Sequence, residues 1–90
     1  VATNKQLTEK AMSLLAYVGD DINDIDREIS AFKGEMTVLA DKEQDALWAG
    51  DTTKAHSIKY KWMLKKKMRI LLKNRKRRIL REMGAAVATD

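Results

Sequence analysis

The feature that most constrains this chain is a hydrophobic spacing that alternates three and four residues without a slip. It starts at Leu15 and runs through Val18, Ile22, Ile25, Ile29, Phe32, Met36 and Leu39, then Glu43 and Ala46. That spacing puts one apolar line on a long helix and asks for a second helix against it, as in a coiled-coil seam. Backwards the line continues through Ala11, with Leu7 and Leu14 on its flank. Thr3 followed by Gln6 has the form of a capping box, which marks a helix start.

Two similar dipeptide contexts can interrupt the helix, "VGDD" at 18–21 and "AGDT" at 49–52. In each, Gly can take the left-handed conformation that closes one helix, and the following Asp can cap the next. The break at Gly50-Asp51 is the stronger, because the heptad stops there and Thr52-Thr53 follow. At Gly19-Asp20 the seam keeps its phase, so the first two segments are read either as one continuous rod or as two helices. Gly34 has no cap after it, and its expected role is close packing. The spacing predicts helices over about 4–18, 20–48 and 52–83, with residues 84–90 as a frayed tail.

The third segment carries two apolar stripes. One is Ala55, Ile58, Trp62, Leu72, Ile79 and Met83; the other is Tyr60, Leu64, Met68 and Leu71, with Met63 and Ile70 between them. A helix apolar over so much of its girth is buried on more than one side. A lone partner helix covers one side. The other needs the N-terminal segment folded back, a second chain, or a bound partner.

Charge divides the chain. Residues 1–50 hold ten acids and five bases, net −5; residues 51–90 hold thirteen bases and three acids, net +10. Folding the chain about Gly50 brings positions that sum to about 101 side by side. Asp20 then lies near Arg81, Asp24 near Arg77 and Arg78, Asp26 near Arg75 and Lys76, Glu28 near Lys73 and Glu35 near Lys66. Such pairs are worth only about 0.2–1 kcal/mol each when exposed. Their use is to select an antiparallel arrangement. They do not neutralise the third helix: residues 65–81 carry ten bases, against six acids and two bases in residues 20–36. The excess makes Lys65, Lys66, Lys67, Arg69, Lys76 and Arg78 candidate contacts for an anionic partner.

Other chemistry finds little footing. There is no Cys and one His, so disulfides and His/Cys zinc sites are out. His56 has no nucleophile or base at a recognisable spacing. The carboxylates of "DDINDIDRE" lack the Gly turn and terminal Glu of a calcium loop. No catalytic residue, metal or cofactor is expected. No signature of a helix-turn-helix, zinc finger or RNA-recognition module is present. The basic, amphipathic "YKWMLKKKMRILLKNRKRRIL" could meet a membrane surface, but burial by the second helix competes with that use.

The expectation is therefore an all-α single domain over 1–90. Its form is a long antiparallel, coiled-coil-like helical hairpin with an N-terminal helix, completed as a bundle by self-association, with a dimer as the expected state. Leu7, Leu14, Leu15, Tyr60, Leu64, Met68 and Leu71 are the candidate self-association residues. The expected function is a non-enzymatic interaction or assembly module in the cytoplasm, with a protein partner possible. The alternative is non-specific nucleic-acid binding through the basic third helix.

Overall fold

The computed structural model describes residues 3–84, and the chain is all-α. Three helices form: α1 (Asn4–Leu14), α2 (Ile22–Trp48) and α3 (Thr52–Glu82). The expected tail lies outside the described residues except for Gly84. The capping box opens α1: the Thr3 N–H donates to Gln6 Oε1 at 3.0 Å, and the Gln6 N–H donates to Thr3 Oγ1 at 3.1 Å.

α1 stops at Leu14, four residues before the expected end. Leu15 and Val18 still lie on the seam and are buried, but the backbone there has tightened into turns, with the Val18 N–H donating to Leu15 O at 3.0 Å. The next helix is capped by Asp21, whose Oδ1 accepts from the N–H groups of Asn23 and Asp24 at 2.8 and 3.1 Å. Residues 15–21 thus reverse the chain, and α1 folds back. A continuous rod over 4–48 would be about 68 Å long, whereas the longest dimension of the molecule is 52 Å.

Directions follow from cross-helix contacts. The Lys10 ammonium lies 6.0 Å from the centre of the Tyr60 ring, and Arg75 Nη1 donates to Val18 O at 2.8 Å. Advancing from 10 to 18 therefore advances along α3. Lys65 meets Glu35 at 3.3 Å and Lys76 meets Asp26 at 2.6 Å, so advancing along α3 retreats along α2. The reversal between α2 and α3 is tight. The Gly50 N–H donates to Leu47 O and the Asp51 N–H to Ala46 O, at 3.0 and 2.9 Å, with Gly50 at φ 77°. This is a Schellman closure. Asp51 then starts α3 by accepting from the Lys54 N–H at 3.0 Å.

The main core joins Leu7, Ala11, Leu15 and Val18 to Ile25 and Phe32 of α2 and to Leu64, Met68 and Leu72 of α3. A smaller cluster of Ala46, Ala55 and Ile58, with Leu39 against it, supports the turn. Leu64 and Met68 of one stripe and Leu72 of the other meet α1, its loop and α2 in the same cluster. Leu7, Leu15, Leu64 and Met68, read from sequence as an intermolecular face, are therefore interior to the chain, and Tyr60 and Leu71 are half-buried; Leu14 remains exposed. Met63 and Ile70 face outward.

A Cβ at Gly50 would meet no atom within 4 Å, so replacing it costs backbone strain alone. Gly50→Ala should lower stability by about 1–2 kcal/mol, read as a lower urea midpoint with an unchanged slope. Gly19, whose φ is not positive, should tolerate the same change with a much smaller loss.

Candidate functional site

Thirteen bases and no acid occupy residues 52–81, the body of α3. Among the described residues only two of these bases reach a carboxylate, Lys65 with Glu35 and Lys76 with Asp26. The pairings read from sequence for Asp24 and Glu28 are replaced by local ones. Asp24 meets Arg27 one turn away at 3.5 Å, and Glu28 accepts from the Tyr17 hydroxyl at 2.9 Å. Asp21 serves as a helix cap, and Arg75 bonds the Val18 carbonyl. Asp21, Asp24 and Glu28 thus take partners close along the chain, only Asp26 and Glu35 reach across to α3 among the described residues, and most of the positive charge of α3 is left to solvent.

The six candidate anion contacts separate accordingly. Lys65 is partly buried, paired with Glu35 and lying 5.1 Å from the Phe32 ring centre. Lys76 is spent on Asp26. Arg69 is half-buried, and its Nε is buried with no hydrogen-bond partner among the described residues. Lys66 and Arg78 are exposed, and Lys67 is partly so.

Four exposed bases of one face of α3 were missed, because Lys73, Arg77 and Arg81 had been assigned to acids of residues 20–28 and Lys59 had not been used. At about 100° per residue, Lys59, Lys66, Lys73 and Arg77 fall within about 40° of one another on the helix. Lys67, Arg78 and Arg81 flank the same face on its other side. Met63 and Ile70, 40% and 41% exposed, lie between the rows. The face runs from 59 to 81, about 33 Å at 1.5 Å per residue. The 7-7-4 spacing of 59, 66, 73 and 77 is the signal that could have found it.

Trp62 organises one end of this face. Its ring lies 4.6 Å from the Lys59 ammonium and 5.3 Å from that of Lys66. One ring thus holds two ammonium groups, one turn before it and one turn after. Already flanked by these cations, Trp62 is a positioning group for charge and a poor platform for a base. Tyr60 is likewise engaged, beneath Lys10.

Three other places carry chemistry of a kind. Leu47 and Trp48 project at the α2–α3 turn, and Trp48 is 82% exposed. The Tyr17 phenol is pushed above its ordinary value by desolvation, then by the hydrogen bond and charge of Glu28 and the charge of Glu35. An apolar groove of about 610 Å³ lies between α2 and α3, floored by Ala31, Gly34, Val38, Leu39 and Leu64. His56 is exposed in the first turn of α3. Among the described residues no three of His, Cys, Asp and Glu converge as metal ligands, and no helix is long and apolar enough to cross a membrane.

Comparison with family models, with curated proteins and with solved structures finds no match. The reading of function rests on the geometry above.

Proposed function

We propose that this protein is a non-enzymatic helical hairpin whose third helix binds nucleic acid through its phosphates, without reading sequence. The observation that carries this is the shortage of internal partners: among the described residues, two ion pairs for the thirteen bases of α3. A protein keeps such a charge density against its own repulsion at a cost in stability, and a polyanion removes that cost. The seven outward bases lie on one straight face about 33 Å long, which matches about ten steps of a nucleic-acid strand at 3.4 Å each. Lys and Arg there supply charge and donors for phosphate oxygens. The chain carries no recognisable groove-reading module, and the nearby aromatics are engaged within the chain.

The test is an anisotropy titration of labelled mixed-sequence duplex DNA and of RNA at rising salt. With about seven phosphate contacts, affinity should fall by about 10³–10⁴ between 50 and 200 mM salt. Absence of binding at the lowest salt overturns the reading. Anionic vesicles form a parallel arm: binding there with none to nucleic acid would assign the basic face to a lipid surface instead.

A second reading, self-association as a dimer, is supported by a different observation. The apolar groove between α2 and α3 stays open after α1 has packed on α3, with Val38 52% exposed at its edge.

A further inference from the structure

α2 carries a second line with the same three-four spacing as its core seam, two residues further along: Arg27, Ala31, Gly34, Val38, Asp41 and Asp45. All six are exposed. The middle of the line is small and apolar and forms the α2 wall of the open groove. Its ends are charged, with a base at the N-terminal end and two acids at the C-terminal end.

Gly34 is unexplained within one chain. It sits in the middle of a 27-residue helix, where glycine is a poor choice. Its φ is not positive, and a Cβ there would meet nothing within 4 Å. Neither the backbone nor any neighbour in the chain requires the missing side chain. The close packing expected of Gly34 is absent inside the molecule and remains available to something outside it.

We propose that two copies of the chain pair through an antiparallel contact of their α2 helices, crossing at Gly34. This gives the self-association reading a definite face and rests on that reading; it is independent of the phosphate reading. The occupant is specified by charge. In an isologous pair centred on residue 34, facing positions sum to 68. Arg27 then faces Asp41 of the second copy, and Asp41 faces Arg27, so two ion pairs bracket the contact. Asp45 faces Asn23, a carboxylate against an amide that can donate to it. Ser30 faces Val38, and the two glycines meet at the centre, where small residues let helix backbones approach closely. The present partner of Arg27 is Asp24 at 3.5 Å, with both side chains more than half exposed, and an exchange of such a pair is cheap. A helix with this arrangement of base, small residues and acids is complementary to its own reverse.

Sedimentation velocity over a concentration series, without nucleic acid, tests the contact. Arg27→Asp and Asp41→Arg should each weaken the dimer by about tenfold or more, since each change removes both symmetric pairs and sets like charges opposite. The double variant, with the charges exchanged, should recover most of the wild-type affinity. Gly34→Leu should abolish the dimer while leaving the monomer's helical circular dichroism unchanged, because the added side chain enters open space. A dimer that ignores Gly34→Leu, or a charge exchange that fails to recover, overturns this face and leaves self-association through another surface standing. A monomer at high micromolar concentration overturns both. Neither result alters the phosphate titration, which uses residues of α3 alone.

Discussion

Changing Lys66, Lys73 and Arg77 together to glutamate is expected to abolish binding of mixed-sequence DNA at physiological salt while leaving the fold in place. The three side chains are exposed, and none contacts a carboxylate among the described residues. They share one face of α3, so a phosphate backbone lying on that face meets all three. Each phosphate contact contributes about 0.9 to the slope of log affinity against log salt on B-form DNA. Neutral glutamine replacements should therefore lower the slope by about 2.7, and glutamates should add repulsion to that loss. Lys65→Gln with Lys76→Gln is the matching control. Those two ammonium groups are held by Glu35 and Asp26, so their loss should change DNA affinity far less and stability slightly. Equal losses from both sets of changes would mean that net charge alone governs binding, and that the outer face of α3 has no special part.

The contrast between Lys65 and Lys66 shows what sequence could not decide. Both belong to the same basic run, and pairing positions that sum to about 101 placed Glu35 opposite Lys66. The realised pairs sum to 100 and 102, so the helix register was legible to within a residue. Of the side-chain partners, Asp26 with Lys76 was legible, whereas Glu35 takes Lys65 in place of Lys66, because a one-residue step turns a helical side chain by about 100°. Local chemistry also intervened. Asp24 has Arg27 one turn away, Asp21 is drawn to the free N–H groups at the start of α2, and Glu28 receives Tyr17 only because the 15–21 segment brings it there. That segment was the least legible part of the fold. The three-four line runs through Leu15, Val18 and Ile22 without a change of phase, and nothing in the spacing alone separates a turn that keeps those side chains inside from a helix that does the same. The doubly apolar girth of α3 was the real indication, since it required a cover on a second side, and α1 supplies it. Each member of the seam from Leu15 to Ala46 is buried or half-buried, and the closure at Gly50 has the geometry that its Gly-Asp context implies.

Leu72→Ala should be the most damaging single truncation and the one that ties stability to the basic face. Leu72 has no exposed surface and packs in the cluster that joins all three helices. A buried Leu→Ala change costs about 2–5 kcal/mol. Stabilities of about 0.05–0.15 kcal/mol per residue give a chain of 90 residues about 5–13 kcal/mol in all, so the loss is a large share. Ile70→Ala, two residues earlier on the outward side, should cost under about 0.5 kcal/mol. A urea titration of both variants checks the difference. Repeating it with DNA present carries the comparison into function. A ligand that binds the folded state alone stabilises it by about 2.7 kcal/mol at one hundred times its Kd, comparable to the Leu72→Ala loss. The variant's midpoint should therefore recover much of the deficit when DNA is added at low salt and lose it again as salt rises. The triple glutamate variant should show no such recovery. If DNA fails to raise the Leu72→Ala midpoint at low salt, the folded face of α3 binds phosphate no better than the unfolded chain, which carries the same bases, and their arrangement on the helix adds nothing.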